Sequence, residues 1–290
     1  WIKDRRNFIG FAFSMCATIL VRRIFMMYIN EIIDEIEKEA TWVDYSQTRD
    51  VILTGDNKEV NKIGVCWVAT KEALEEAKKQ DIHFIINHEN FLYLEHTHMW
   101  QGYFQARQDK IKFCKENDIT VYRLHDGWDM FPKYGVADSL NHLTGLPFEE
   151  RVINSYHTKA YINETLTVRE IAQKYANALA GYGSNHVEIL GDPEYKVKVF
   201  ATGVGAATHL PEMIKMGADC VMLADDGGTN WIEHQWCLDH HVPIILLHHS
   251  VNEMPGMDGM VEYLRNKFPN LDIYRLHEGF KYTLVQQESK

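Results

Sequence analysis

The sequence predicts an α/β protein built from two related three-layer lobes with a metal site in the cleft between them. Three observations lead there. From Lys62 onward, apolar runs of strand length alternate with segments of helical period, the pattern of a layered α/β domain. The alternation pauses near residues 150–165 and begins again, which divides the chain into lobes at 26–155 and 156–290. Three strand ends carry His, Asp and Glu together, and in open α/β sheets ligands collect just beyond the carboxyl ends of the strands.

Residues 1–25 stand apart from this pattern. Arg5-Arg6-Asn7-Phe8 leads an apolar run from Phe8 to Val21 that Arg22-Arg23 closes, too short for an ordinary membrane helix. It reads either as a twin-arginine export leader or as an extension outside the fold. Met26-Met27 offers an alternative start, directly before an amphipathic helix containing Tyr28, Ile29, Ile32, Ile33 and Ile36. The extension reading implies a cytoplasmic protein and the leader reading an exported one.

Residues 62–70 read as a buried strand, and residues 71–79 as a helix with Ala73, Leu74 and Ala77 on one face. A strand over 82–86 ends at Asn87-His88-Glu89. Helix 105–116 and strand 120–124 follow, the strand running out at His125-Asp126-Gly127-Trp128-Asp129. Helix 135–143 is stopped by Gly145 and Pro147. After a β-rich stretch over 151–162, helix 167–179 opens with Thr167-x-x-Glu170, the pattern of a capping box. The second series has strands at 195–201, 219–223 and 243–247 and helices at 209–216 and 231–238. Its last strand runs into His248-His249-Ser250-Val251-Asn252-Glu253, and helix 257–268 closes the region.

With 290 residues, 46% of them hydrophobic, the chain can bury one large or two medium cores, so overall disorder is excluded. Its 41 acidic against 30 basic residues leave a charge of −11, which argues against nucleic acid or an anionic membrane as partner. Five cysteines without C-x-x-C spacing do not make a disulfide scaffold or a zinc-cysteine site. Cys66 and Cys220 lie in apolar runs and read as core.

Imidazole nitrogen with carboxylate oxygen suits zinc, manganese or iron, so one or two divalent ions per chain are expected. The first candidates are His88, Asp129, His249 and Glu253, with His125 and Glu89 as further ligands. Asp129 and Glu253 are candidate bridges between two cations. If residues 250–253 begin a helical turn, the spacing of four places His249 and Glu253 on one side. The amides of Gly203-Val204-Gly205-Ala206 could cradle an anion, although a tight turn that brings helix and sheet close is the plainer reading. Asp225-Asp226-Gly227-Gly228 reads as a solvated turn. Phe91, Tyr93, His96, His98, Trp100, Tyr103 and Phe104 read as a lining or lid over the cleft, or as a packed contact between lobes or subunits.

In order and spacing, the three strand exits resemble the family of GTP cyclohydrolase 1 type 2 homologs, Nif3-like proteins with a dinuclear metal centre. The resemblance covers roughly residues 27–285. The family's first motif, His-His-Pro, matches Asn87-His88-Glu89, so that Asn87 stands where a ligand histidine is usual. His88-Glu89 with Phe91 and Tyr93 looks like a diverged copy of a His-Glu-Pro branch. Arg123-Leu124-His125-Asp126-Gly127-Trp128-Asp129 resembles the second motif and places its ligand at Asp129, with His125 as a replacement for the lost imidazole. The third motif, His-x-x-x-Glu, falls on His249 and Glu253, followed by Met254-Pro255-Gly256-Met257. The resemblance implies two lobes with metal between them and a homo-oligomer, a toroidal hexamer.

Two functions remain open on this reading. As an enzyme, the protein would carry out metal-assisted hydrolysis of a nucleotide or phosphoester-type small molecule, although the sequence shows no Walker-type phosphate loop and assigns no catalytic residue. The alternative is a non-catalytic metal-binding assembly or regulatory protein.

Overall fold

The computed structural model describes residues 25–93, 100–184, 186–227 and 231–285. Residues 1–24 of the segment 1–25 and the lid candidates His96 and His98 lie outside the described residues.

After β1 (Met27–Tyr28), α1 (Ile29–Glu37) buries Ile29, Ile32, Ile33 and Ile36, one stripe at helical spacing. Next come β2 (Val51–Thr54), β3 (Glu59–Val60) and β4 (Lys62–Cys66). In α2 (Lys71–Lys79), the Thr70 side chain accepts the Ala73 N–H at the N-terminus and Lys78 and Lys79 close the last turn, favourable at both ends. β5 (Phe84–Asn87), α3 (Gln101–Glu116), β6 (Thr120–Arg123), the single turn α4 (Asp126–Asp129) and α5 (Val136–Thr144) complete this half.

The second half runs β7 (Thr158–Tyr161), α6 (Val168–Leu179), β8 (Glu188–Leu190) and β9 (Val199–Thr202). The capping box at Thr167 and Glu170 is present. A 3-10 turn at Gly205–Ala207 leads to α7 (Leu210–Lys215), β10 (Cys220–Ala224), α8 (Trp231–Asp239) and β11 (Ile244–Leu247). The long helix α9 (His249–Lys267) and β12 (Asp272–Arg275) end the series.

Among the described residues, β1 pairs with β3 and two five-stranded sheets result, with orders β12-β4-β5-β6-β2 and β7-β9-β10-β11-β8. Each has three parallel strands at its centre and an antiparallel strand, β2 or β8, on the same relative edge. They differ at the other edge, where β12 is parallel to β4 but β7 is antiparallel to β9. Helices cover both faces of each sheet. In the first, Ile63 and Phe84 join the core under α1 and α9, whereas Ile85 and Val121 face α2 and α3. In the second, Phe200 and Met222 pack towards α6, and Ala201 and Val221 towards α7 and α8. Cys66 and Cys220 are fully buried in these layers.

Two expectations need correction. The division at 155/156 fails at the C-terminus, because β12 joins the first sheet and Met257, Met260, Val261 and Leu264 of α9 bury into the first core. The last helix begins at His249 rather than near 257 and carries Pro255 inside it. Close packing on α5 holds it continuous: a Cβ at Gly256 would come within 2.8 Å of the Val136 Cα. Tertiary contact here overrides the helix-breaking propensity of Pro-Gly. No helix among the described residues is long and apolar enough to cross a membrane.

Candidate metal centre

β5 and β6 run side by side, with Asn87 opposite Arg123, so the residues after each strand emerge together. His88 is fully buried, and its Nδ1 lies 3.0 Å from the Leu124 carbonyl oxygen. Donating Nδ1–H to that acceptor leaves the Nε2 lone pair free, the orientation found for metal-ligating histidines. Nε2 faces Asp129 Oδ1 at 3.2 Å and Glu253 Oε2 at 3.4 Å. The His125 ring stacks on His88 with centroids 4.6 Å apart, and its Nδ1 is 3.3 Å from Asp129 Oδ2.

The α4 turn places His125 and Asp129 four residues apart on one side. Asp50 holds that turn, its carboxylate accepting the backbone N–H of His125, Asp126 and Gly127 at 2.6, 2.8 and 2.8 Å. Those are orphan donors of a helix start. Arg123 ties the two loops together, donating to the His88 carbonyl and pairing with Glu89 at 3.2 Å.

The second half contributes through the first turn of α9. Glu253 Oε1 lies 2.9 Å from His249 Nε2, while its Oε2 accepts the Trp67 indole N–H at 2.7 Å. Asp226 Oδ2 is 2.8 Å from His249 Nδ1, and Asp225 accepts the His249 backbone N–H. Gly205 presses its backbone against this turn with φ +40. A Cβ there would sit 2.0 Å from Glu253 Oε1 and 2.5 Å from His249 Nε2. The Gly203–Ala206 segment is therefore a close approach that only glycine permits at 205.

Among the described residues, two groups could hold a metal ion, His88 with His125 and Asp129, and Glu89 with His249 and Glu253, the ligand atoms of each lying within 4.8 Å of one another. Glu253 links them, with one oxygen towards His249 and the other towards His88. Asp129, the other expected bridge, directs its two oxygens to His88 and His125 of its own group. Asn87 belongs to neither group, and its side-chain oxygen accepts the Ala69 N–H at 3.0 Å. The consecutive pair that enters the site is thus His88 and Glu89, the pair of the His-Glu-Pro comparison and one residue later than the His-His-Pro match.

Charge balance supports the fit of a cation. Burial opposes a proton on His88, yet the Glu253 and Asp129 carboxylates outweigh it and lift its pKa well above the ordinary imidazole value. His249 is likewise raised to about 11 against the cost of burial, by Asp226 and Glu253. Burial opposes charge on Glu89, but His125 brings it down to about 2. Protons on buried imidazoles thus stand where cations would. Among the described residues, His88 Nε2 and Asp129 Oδ1 are buried without a hydrogen-bond partner, which in a polar site calls for an ion or water.

Sequence reasoning passed over Asp50 and Trp67, and read Asp226 as part of a solvated turn although it holds His249. Asp226 carried a readable signal, since it follows β10 just as His88 follows β5. Asp50 and Trp67 act through contacts distant in sequence, and nothing local marks them. Both ligand groups open on a cavity of about 1100 Å³, also lined by Tyr93, Tyr103, Tyr156 and Phe280.

Fold and site define a two-lobed α/β protein whose strand ends converge on paired imidazole-carboxylate groups. The chain belongs to the Duf34/NIF3 (NGG1p interacting factor 3) family, which it matches over residues 27–278. Solved structures share the fold. A Bacillus cereus protein related to NIF3 superposes with a TM-score of 0.72 at 15% identity, covering 89% of this chain and 99% of that one. Staphylococcus aureus protein SA1388 gives 0.71 at 18% identity over 89% and 99%. Reduced HcgD from Methanocaldococcus jannaschii gives 0.65 at 18% over 87% and 99%. No curated protein sequence matches the chain.

Proposed function

We propose that the protein is a metal-dependent hydrolase with a dinuclear centre, acting on a nucleotide or phosphoester-type small molecule. One observation carries this reading: Glu253 is shared between two ligand groups at the wall of a cavity large enough for such a molecule. Divalent zinc, manganese or iron held by His88, His125, Asp129, Glu89, His249 and Glu253 would supply Lewis acidity and activate water. The chain contributes preorientation. Leu124 fixes the His88 tautomer, Asp226 turns His249, and the Trp67 indole holds one oxygen of Glu253. A protein that only stores or carries metal has no use for an aromatic cavity of this size, which favours the enzyme over the binding protein.

The test is turnover of a panel of nucleotides and aryl phosphoesters by the metal-supplemented protein, alongside Glu253→Ala. Turnover by the wild type that vanishes in the variant is the expected result. Equal rates in both would remove this site from the reaction. On the same reading the chain forms a homo-oligomer, the hexamer implied by the family. Exposed Trp231, Ile232, Trp236 and Leu238 offer apolar surface for assembly, and a monomer by light scattering would end that part of the reading.

A further inference from the structure

The cavity carries a second chemical feature, a buried lysine without a carboxylate partner. Lys110 of α3 is 6% exposed and lines the cavity beside Phe91 and Tyr93. Its Nζ donates to the Phe91 carbonyl at 2.8 Å and lies 5.5 and 4.9 Å from the Phe91 and Tyr93 ring centroids. An ammonium has three N–H donors, and among the described residues that carbonyl is the only hydrogen-bond acceptor Lys110 has. Burying such a charge without a counter-ion is costly.

Lys110 has a second cation nearby. Lys71 opens α2 and lines the same cavity with Val68 and Thr70. The N-terminal end of that nine-residue helix, where Thr70 caps the Ala73 N–H, therefore faces the same space with the positive end of its dipole. The cavity's arginines differ, because Arg49 pairs with Asp126 and Arg123 with Glu89. In a chain of charge −11, carboxylates are plentiful, yet none pairs with Lys110 among the described residues. Burial, helped by Lys71, pulls the Lys110 pKa down to about 8. The other titratable neighbours are Cys66 of β4 and Cys114, whose thiols burial pushes up, Cys114 to about 12, so they are uncharged near pH 8.

We propose that Lys110, Lys71 and the N-terminal end of α2 form an oxyanion subsite of the cavity, which takes a phosphate or carboxylate group of the bound molecule. The subsite rests on the hydrolase reading only in supplying a substrate class, an anionic small molecule. Its reacting part lies towards the ligand groups and its anionic group on the lysines. The Phe91 and Tyr93 rings beside Lys110 favour a ligand with a flat apolar portion next to that anion.

The experiment measures binding of phenyl phosphate and benzoate to the whole chain as purified, with Lys110→Met and Lys71→Met as variants and metal content determined in parallel. Methionine keeps an unbranched apolar stem of similar length and removes the buried charge, so folding is preserved. The expected result is a loss of about tenfold or more in phenyl phosphate affinity in each variant, the size of one charge-assisted hydrogen bond, at unchanged metal content. Wild-type affinity should fall as pH rises through about 8, while Lys110→Met stays flat there. Benzoate behaving like phenyl phosphate assigns the subsite to oxyanions generally, and phenyl phosphate binding alone assigns it to phosphate. Variants that bind as tightly as the wild type, or a wild type that binds neither probe, would overturn the proposal. Failure of the hydrolase reading looks different: metal or turnover is absent while lysine-dependent binding persists.

Discussion

The two ligand groups differ in their distance from solvent. His88, His125 and Asp129 are at most 6% exposed and all come from the ends of β5 and β6. The other group straddles the lobes, and its Glu89 and His249 side chains keep 20% and 17% of their surface exposed. A carboxylate facing imidazoles with so little surface exposed needs a positive charge beside it, so on the dinuclear reading the inner group would retain an ion. The outer group, with more of its surface exposed, would exchange one more readily. Glu253 couples the two, which makes the pair more than two adjacent sites.

The sharpest way to break this distinction is to remove one carboxylate from each group. Asp129→Asn is expected to eliminate the slowly exchanging ion, and Glu89→Gln only the readily exchanged one, by elemental analysis after desalting. Equal loss from both variants would show that the groups act as one site. A smaller effect is expected at Asp226, which orients His249 without entering either group. Asp226→Asn should weaken binding of the outer ion by about 10- to 100-fold, the usual consequence of losing such support, and leave the inner ion in place. Competition with a chelator of known affinity reads this directly.

Much of this arrangement was legible in the sequence, and the exceptions have physical causes. The central strands β4, β5 and β6 announce themselves through continuous apolar runs, and the helix α2 through Ala73, Leu74 and Ala77 on one face. The two-lobed α/β fold follows from this alternation and the family from the three strand exits, and both are borne out. The short edge strands β2 and β8 are half exposed and carry no strong pattern. β12 could not be assigned to its sheet, because the choice between lobes is made by where α9 finds apolar cover, not by residues 272–275. At the site, His88, His125, Asp129, His249 and Glu253 sit where apolar strands end. Only the His-His-Pro match slipped by one, at Asn87, whose hydrogen bond to Ala69 turns its side chain from the site, whereas the His-Glu-Pro comparison pairs His88 with Glu89 as the ligand groups do. Asn87→His is accordingly not expected to add a ligand.

The smallest expected effect concerns stability. Lys110 has a folded pKa of about 8 against an ordinary 10.5. Below pH 8 both folded and unfolded chains carry the proton, and the folded state bears the full cost of the buried charge. Between about 8 and 10.5 the unfolded chain binds more protons, so the Lys110 contribution to stability rises with pH. Lys110→Met lacks that contribution. Its advantage in thermal midpoint over the wild type should therefore shrink across this window, and a constant difference would show that the lysine is not burdened by burial.

The central claim, two coupled ion sites of unequal accessibility, is tested most directly by counting metal per chain through a timed chelation. The account predicts about two equivalents, one leaving quickly and one slowly, with neither retained in Glu253→Ala. A single equivalent leaving in one phase, or full retention by Glu253→Ala, would contradict it.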